Sequence, residues 1–113
     1  MDPVRVVLVD MPLLLREVIS RIVASEPRLD LVAEIGELAR LGPVIDACHP
    51  GFVIGGDELL GDAEATAVLR RCPSARVLTV TSDGARSFLF ELTPTRRAMG
   101  EISSKGLIEV ILG

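Results

Sequence analysis

Acidic and hydroxyl side chains stand where three apolar runs of this sequence end. Asp10 closes the run VRVVLVD, Asp57 comes shortly after GFVIG, and Thr81 closes ARVLTVT. Carboxylates bind hard cations and can act as nucleophiles, and a neighbouring hydroxyl can bind an anion. The middle run is unusual because Gly55 and Gly56 come before its acid. This run therefore ends in two residues without reactive side chains, and its acid comes after them.

The thiols and the single histidine do not form a metal-binding pattern. Cys48 and Cys72 are too far apart for a CxxC motif, and His49 is merely adjacent to Cys48. His49 also precedes a proline at the amino end of an apolar run, opposite the acids. We therefore predict two reduced thiols, no resident metal and no cofactor.

The composition predicts one domain, residues 1–113, with an aliphatic core, because Trp and Tyr are absent and Phe occurs three times. A net charge of −4 argues against direct nucleic-acid binding, which needs clustered cations. No apolar run approaches the roughly 18 residues of a membrane span, and the start lacks the features of a signal peptide. We expect a soluble, cytoplasmic protein without a membrane partner.

Strand-like and helix-like patterns alternate along the chain. The predicted strands are VRVVLVD (4–10), LDLVAEI (29–35), GFVIG (51–55) and ARVLTVT (75–81), with a weak fifth in RRAMGEI (96–102). The predicted helices are LLLREVISRIVA (13–24), a segment within 37–50 that begins or kinks at Gly42-Pro43, a helix from Asp62 that ends at Pro73, a short SFLFEL (87–92), and KGLIEVIL (105–112) capped by Ser103 or Ser104.

This alternation predicts a five-stranded parallel sheet covered by helices on both faces. In such α/β sheets, ligands gather outside the carboxyl ends of the strands, where the strand order reverses. Asp10, Gly56, Asp57 and Thr81 fall at those ends. We therefore expect the chemistry of this protein at that edge.

Five segments together resemble the receiver domain of bacterial response regulators, most closely the NarL/FixJ (LuxR-type) branch. They are VRVVLVDMPLLLRE, SEPRLDLVAE, HPGFVIGG, CPSARVLTVTS and SSKGLIEVI. The resemblance implies the flavodoxin-like (βα)5 receiver fold with strand order 2-1-3-4-5 and, here, a shortened or irregular fourth helix. It also implies a site at which an Asp accepts a phosphoryl group beside Mg²⁺, assisted by a Thr or Ser and a Lys.

Several positions of that site depart from the family pattern. Asp10 matches the first acidic position, but Met11 stands where the second carboxylate belongs, and a thioether is a poor ligand for Mg²⁺. The acceptor position falls on Gly56, which has no nucleophile. Thr81 retains the hydroxyl, whereas Lys105 is the only lysine and lies within the last helix, displaced from the family's position.

These departures leave alternatives for three of the polar residues. Asp57 could act as the acceptor if the third strand is one residue longer, although strand alternation would turn its side chain away from the pocket. Asp10 could be a loop carboxylate near a helix start, and Thr81 a β-forming residue at a strand end. Lys105 is most simply a surface cation.

The last helix carries more apolar residues than one buried stripe requires. The members that could form a dimer face are Leu107, Ile108, Ile111 and Leu112. We interpret the excess as a contact surface for a second copy or for the remainder of a longer protein.

Together these features predict a receiver that does not use aspartyl phosphate and acts as a regulatory domain, not an enzyme. The favoured interpretation is a homodimeric module of a LuxR-type transcription factor that reaches DNA through a domain absent from this chain. It would sense a small molecule in or near the emptied pocket. The alternatives are an active receiver that uses Asp57 and Mg²⁺, and a stand-alone interaction domain.

Overall fold

The structure is a computed structural model that describes residues 2–92 and 96–113, apart from the side chain of Arg97. Six strands form one sheet, in the order β2-β1-β3-β4-β5-β6. The strands are β1 (Val4–Val9), β2 (Leu29–Ile35), β3 (Phe52–Gly56), β4 (Arg76–Val80), β5 (Ser87–Phe90) and β6 (Arg97–Ala98). The helices are α1 (Leu13–Ser25), α2 (Leu41–Cys48), α3 (Asp62–Arg71) and α4 (Ser104–Leu112).

The first four strands pair in parallel, as the alternating pattern predicts. Side chains of β1 alternate between two apolar layers, with Val6 and Leu8 facing α1 and α4, and Val7 and Val9 facing α2 and α3. This burial on both faces explains why the strand reads as an uninterrupted apolar run. The predicted α/β class and the strand order 2-1-3-4-5 are confirmed.

The second helix resolves the alternatives for residues 37–50. A short 3-10 turn at Leu38–Arg40 leads into α2, and Gly42 and Pro43 occupy its first turn. The helix therefore begins at this point, where the missing N–H of proline is harmless. His49 follows α2 with a left-handed backbone (φ 46°), so its place at the helix end is a structural one.

The segment after β4 differs from the prediction. SFLFEL was expected to be a short helix, but Ser87–Phe90 forms β5, which pairs antiparallel with β4. The connection 81–86 is a tight turn that includes Gly84 at φ 73°, and a connection this short can only join antiparallel neighbours. The helical interpretation of 87–92 is therefore wrong, and a hairpin stands where the shortened fourth helix was predicted.

The weak strand predicted within 96–102 is present only as the two residues of β6, antiparallel to β5. It is the sixth strand of the sheet and not the fifth. The predicted last helix is confirmed as α4, and the hydroxyl of Ser103 accepts a hydrogen bond from the N–H of Gly106 (3.1 Å). Within residues 2–92 and 96–113, no helix is long and apolar enough to cross a membrane.

Candidate functional site

A cavity of about 430 Å³ lies at the carboxyl ends of β1, β3 and β4. The side chains and backbone that line it include Asp10, Met11, Gly56, Asp57, Glu58 and Ser82. The parallel register of the three strands brings the ends of these runs together, although they are distant in sequence. Four of the predicted site residues, namely Asp10, Met11, Gly56 and Asp57, therefore share one cavity.

Gly56 is buried at the end of β3, directly beneath the loop that follows β1. Its N–H donates to the carbonyl oxygen of Asp10 (3.3 Å). A Cβ at this position would lie 3.2 Å from that oxygen and 3.4 Å from the Cβ of Met11. An acceptor side chain at this position would therefore crowd the Asp10–Met11 segment, which would have to shift by a few tenths of an ångström.

Asp57 begins the turn after β3, where its N–H donates to the carbonyl of Val80 (3.0 Å). It is half-buried and is among the residues that line the same cavity as Asp10. Strand geometry ends at Gly56, so the turn and not the alternation of β3 sets the direction of its side chain. That the side chain faces away from the pocket stays a prediction.

Met11 is buried among the apolar residues between the sheet and α1, with 6% of its surface exposed. Its thioether thus serves the core at the position where a receiver offers a second carboxylate. Asp10 is exposed, and no group of three His, Cys, Asp or Glu residues in the described part of the chain could hold a metal ion. These residues do not fit Mg²⁺, which prefers several oxygen ligands in octahedral geometry.

Thr81 lies at the end of β4, but its hydroxyl is occupied in the turn that follows. It donates to the carboxylate of Asp83 (2.7 Å) and accepts from the N–H of Arg86 (3.1 Å). The hydrogen bond from Thr81 is the main cause that lowers the pKa of Asp83, and the N–H of Ala85 adds to it. The hydroxyl therefore closes the β4–β5 hairpin instead of reaching into the cavity.

Lys105 is not brought to the cavity. It is exposed on α4 and lines a separate, open depression with Arg28 and Ile108.

Ser82 and Asp83 lie at or near the cavity but were not singled out from the sequence. The run Thr-Ser-Asp-Gly at 81–84 could have revealed them, because Asp and Ser side chains commonly hydrogen-bond their own turn.

Two residues of the predicted dimer face on α4 belong to the core. Leu107 is 2% exposed and Ile111 is fully buried against the sheet, so neither is available to a partner. Ile108 is half-buried and Leu112 is 37% exposed. Ile108 and Leu112 remain candidates for a contact surface. Leu107 and Ile111 do not, because the core buries them.

Further exposed apolar residues occur on α1. Leu14 is 78% exposed and Val18 is 51% exposed, while Ile19, Ile22 and Val23 form the buried face. The spacing of Leu14 and Val18 puts them one turn apart on the same side of the helix. That spacing could have indicated a shared surface. However, apolar residues cover about half the circumference of this helix, so the sequence does not show which of them are buried.

Comparisons with known proteins support the fold. No family model matches the sequence, and no curated protein matches it. The chain is similar to the signal receiver domain of the response regulator NarL from Mycobacterium tuberculosis, at 26% identity and a TM-score of 0.63, covering 73% of this chain and 68% of that chain. It is also similar to a two-component response regulator of the LuxR family from Aurantimonas sp., at 23% identity and a TM-score of 0.60, covering 71% of this chain and 59% of that chain.

Proposed function

We propose that this chain, which has the fold of a receiver domain of the NarL/FixJ branch, is a regulatory module that does not use aspartyl phosphate as its switch. The observation that carries the proposal is Gly56 at the acceptor position. A side chain there would meet the Asp10 carbonyl oxygen at 3.2 Å. The acceptor position thus has no nucleophile and is crowded by the backbone of Asp10, and a receiver needs both that nucleophile and a metal beside it.

The other parts of the expected site support the same proposal because each is engaged elsewhere. Met11 is buried in the core, the Thr81 hydroxyl bonds to Asp83 and the N–H of Arg86, and Lys105 is exposed on α4. A receiver transmits phosphorylation by moving its hydroxyl and lysine towards the phosphoryl group. Neither side chain is free and near enough to make that movement here.

The test is incubation of the protein with acetyl phosphate and Mg²⁺, and separately with beryllofluoride and Mg²⁺. We expect an unchanged intact mass and amide NMR shifts that do not respond to beryllofluoride. A stoichiometric phosphoryl adduct would overturn the proposal. The variant Asp57→Asn serves as the control that assigns any adduct to its residue.

One observation favours a second candidate, an active receiver that uses Asp57. Asp57 lines the same cavity as Asp10 and Glu58, so three acidic residues lie at this edge of the sheet. This candidate predicts a phosphoryl adduct that requires Mg²⁺ and disappears in Asp57→Asn. It is the weaker proposal because a buried thioether stands at the position of the second carboxylate, and because no group of three acids among the described residues could hold a metal ion.

We also propose that the module acts as a homodimer through a surface formed by α1 and α4, here called the α1–α4 surface. It comprises Leu14, Val18, Ile108 and Leu112. Exposed apolar residues concentrated on one side of a domain mark an interaction site, and two-fold dimers are the commonest assembly. The two helices pack beside one another, so their apolar residues can share one contact.

Sedimentation velocity tests the α1–α4 surface. We expect a dimer for the parent protein and a monomer for Leu14→Glu and Val18→Glu. Leu13→Glu is the matched control, because Leu13 is 57% exposed on the same helix but lines a different depression with Arg16 and Glu34. A monomeric parent protein, or equal dissociation by Leu13→Glu, would contradict the assignment.

The whole protein is proposed to be a LuxR-type transcription regulator in the cytoplasm, with DNA contacted by a domain outside these 113 residues. The support is that the similar Aurantimonas protein is a two-component response regulator of the LuxR family. The alternative is a stand-alone interaction domain. Reading the gene beyond the codon for Gly113 separates them, because only the first requires a following helix-turn-helix segment.

A further inference from the structure

A second cavity of about 490 Å³ lies between α4 and the β4–β5 hairpin, away from the site at the strand ends. Leu78 of β4 and Leu89 of β5 line it from the sheet, and Leu107 lines it from α4. Ile102, in the segment that leads to α4, closes one side. Ligand pockets of proteins have volumes of roughly 300–1,000 Å³ and mainly apolar linings, so this cavity is of suitable size and character.

The cavity exists because β5 runs antiparallel to β4. Leu78 pairs with Leu89, and alternation along β5 directs Ser87, Leu89 and Glu91 to the cavity side. Phe88 and Phe90 pack with the apolar layer on the opposite face of the sheet. One hairpin strand thus supplies an apolar wall, a hydroxyl and a carboxylate to the same cavity.

The opposite wall is held in place by Arg76. Its guanidinium donates to the carbonyl oxygens of Val110 (2.8 Å) and Ile111 at the end of α4. Arg76 also lies over the ring of Phe52, at 5.1 Å from the centroid. Because these contacts tie α4 to the start of β4, both walls belong to fixed elements and the cavity is preformed.

The charged groups around the cavity favour a positively charged ligand. Three of its lining residues are acidic, namely Glu91, Glu101 and Glu109. Among the lining residues that the structure describes, Arg76 is basic, and its charged guanidinium donates to the α4 carbonyls, so the described lining has three acidic residues and one basic residue. Ser87 is 2% exposed, and its hydroxyl reaches the carbonyl oxygen of Gly100 at a long 3.4 Å. A donor group of a ligand could therefore compete for this carbonyl or hydroxyl.

We propose that this cavity binds a small amphiphilic molecule whose apolar body lies against Leu78, Leu89 and Leu107 and whose amine or guanidinium group faces the carboxylates. This inference rests on the proposed function, since a receiver without phosphate control needs another signal. It places ligand sensing between α4 and the hairpin, and not in the emptied pocket at the strand ends. Occupancy would change how firmly α4 is seated, and α4 contributes to the α1–α4 surface.

Titration of the ¹⁵N-labelled protein with n-octylammonium, octanoate and octanol tests the inference, because these probes share one chain and differ in the head group. We expect saturable shifts of the Ser87, Leu89, Ile102 and Gly106 amides with octylammonium, with a Kd below about 1 mM and roughly tenfold tighter than for octanoate. The double variant Glu91→Gln/Glu101→Gln should weaken octylammonium binding by roughly fivefold to tenfold. Met99→Trp, at the partly exposed rim, should block binding.

Glu17→Gln is the matched control, since it removes one exposed carboxylate from α1 without touching the cavity. Equal affinity for octanoate or octanol would overturn the cationic assignment. Shifts that map to Asp10 and Asp57, or no saturable shifts at all, would overturn the site. Failure here is distinguishable from failure of the proposed function, which depends on the phosphoryl adduct and not on octylammonium.

Discussion

The parallel part of the sheet and the antiparallel hairpin that follows it differ from the predicted receiver pattern in opposite ways. From β1 to β4 the strand order and the two apolar layers are as predicted, while Met11 and Gly56 stand where that pattern has a carboxylate and an acceptor. After β4 the backbone differs, because a tight turn joins β4 to an antiparallel β5 where a helical crossover was predicted. The first region thus has the predicted shape with other residues at its edge, and the second has a different shape.

This difference indicates which constraint acts on each region. A parallel strand buried on both faces contributes to two apolar layers at once, so its replacement would disturb the whole core. Of the residues at the strand ends, Asp10 is exposed and adds little to that core, whereas Met11 is buried in it. The hairpin lies at the margin of the sheet, where β6 is two residues long, so a different backbone there leaves the parallel strands in place.

The largest effect that would test this contrast concerns α4, which follows the hairpin and packs on the core of the parallel sheet. Ile111→Ala should lower the free energy of unfolding by about 2–5 kcal/mol, because Ile111 is fully buried between α4 and the sheet. Leu112→Ala, one residue later and 37% exposed, should change it by less than about 1 kcal/mol. Urea unfolding followed by circular dichroism measures both. Equal effects would mean that α4 is not seated as described.

The crowded acceptor position gives the next effect in size. Gly56→Asp restores the family's residue type, but its Cβ would lie 3.2 Å from the Asp10 oxygen, so we expect a loss of about 1–3 kcal/mol. Gly36→Asp is the control, because a Cβ at Gly36 meets nothing within 4 Å, and it should stay within about 0.5 kcal/mol. The same urea measurement applies. A stable Gly56→Asp protein that accepts a phosphoryl group would show that the parallel region still holds the chemistry.

The sequence predicted the parallel region well because its signals are strong and local. Runs such as VRVVLVD have apolar side chains on both faces, and the helical segments between them enforce parallel crossovers. Strand ends then meet by topology, which is why Asp10, Met11, Gly56 and Asp57 were correctly placed in one cavity. The direction of the Asp57 side chain could not be predicted firmly, because it depends on the turn geometry after Gly56.

The hairpin was missed for a different reason. SFLFEL is short enough to be read as a helix or a strand, and the expectation of a helical crossover favoured the helix. The turn residues at 81–84 and the alternation of Ser87 and Leu89 against Phe88 and Phe90 pointed to a strand instead.

The buried face of α4 could not be predicted from the sequence either. Which of its apolar residues face the sheet depends on how the helix is rotated, and periodicity leaves that rotation open.

A smaller effect separates the two explanations of Thr81, a retained switch residue or a turn residue. Thr81→Val removes the hydroxyl that contacts Asp83 and the N–H of Arg86, so we expect a loss on the order of 1 kcal/mol in stability. Thr81→Ser keeps the hydroxyl and should retain most of that stability. Amide hydrogen exchange should report faster opening of β5 in Thr81→Val alone. Unchanged exchange in β5 would argue against the turn role.

The smallest effect is a pH dependence of the same turn. The hydrogen bond from Thr81 lowers the pKa of Asp83, so the ionised carboxylate is the form that the folded state favours. Its stabilising contribution is present above the ordinary pKa of an aspartate and is lost as the pH falls through the lowered pKa of the folded state. NMR titration of the Asp83 carboxyl should show this pKa rising towards its ordinary value in Thr81→Val. The stability difference between Thr81→Val and the parent protein should then narrow at acid pH, and in an Asp83→Asn background that narrowing should vanish. If the difference still narrows without Asp83, another group causes the pH dependence. The hydrogen bond from Thr81 to Asp83 would then not explain the stability of the turn.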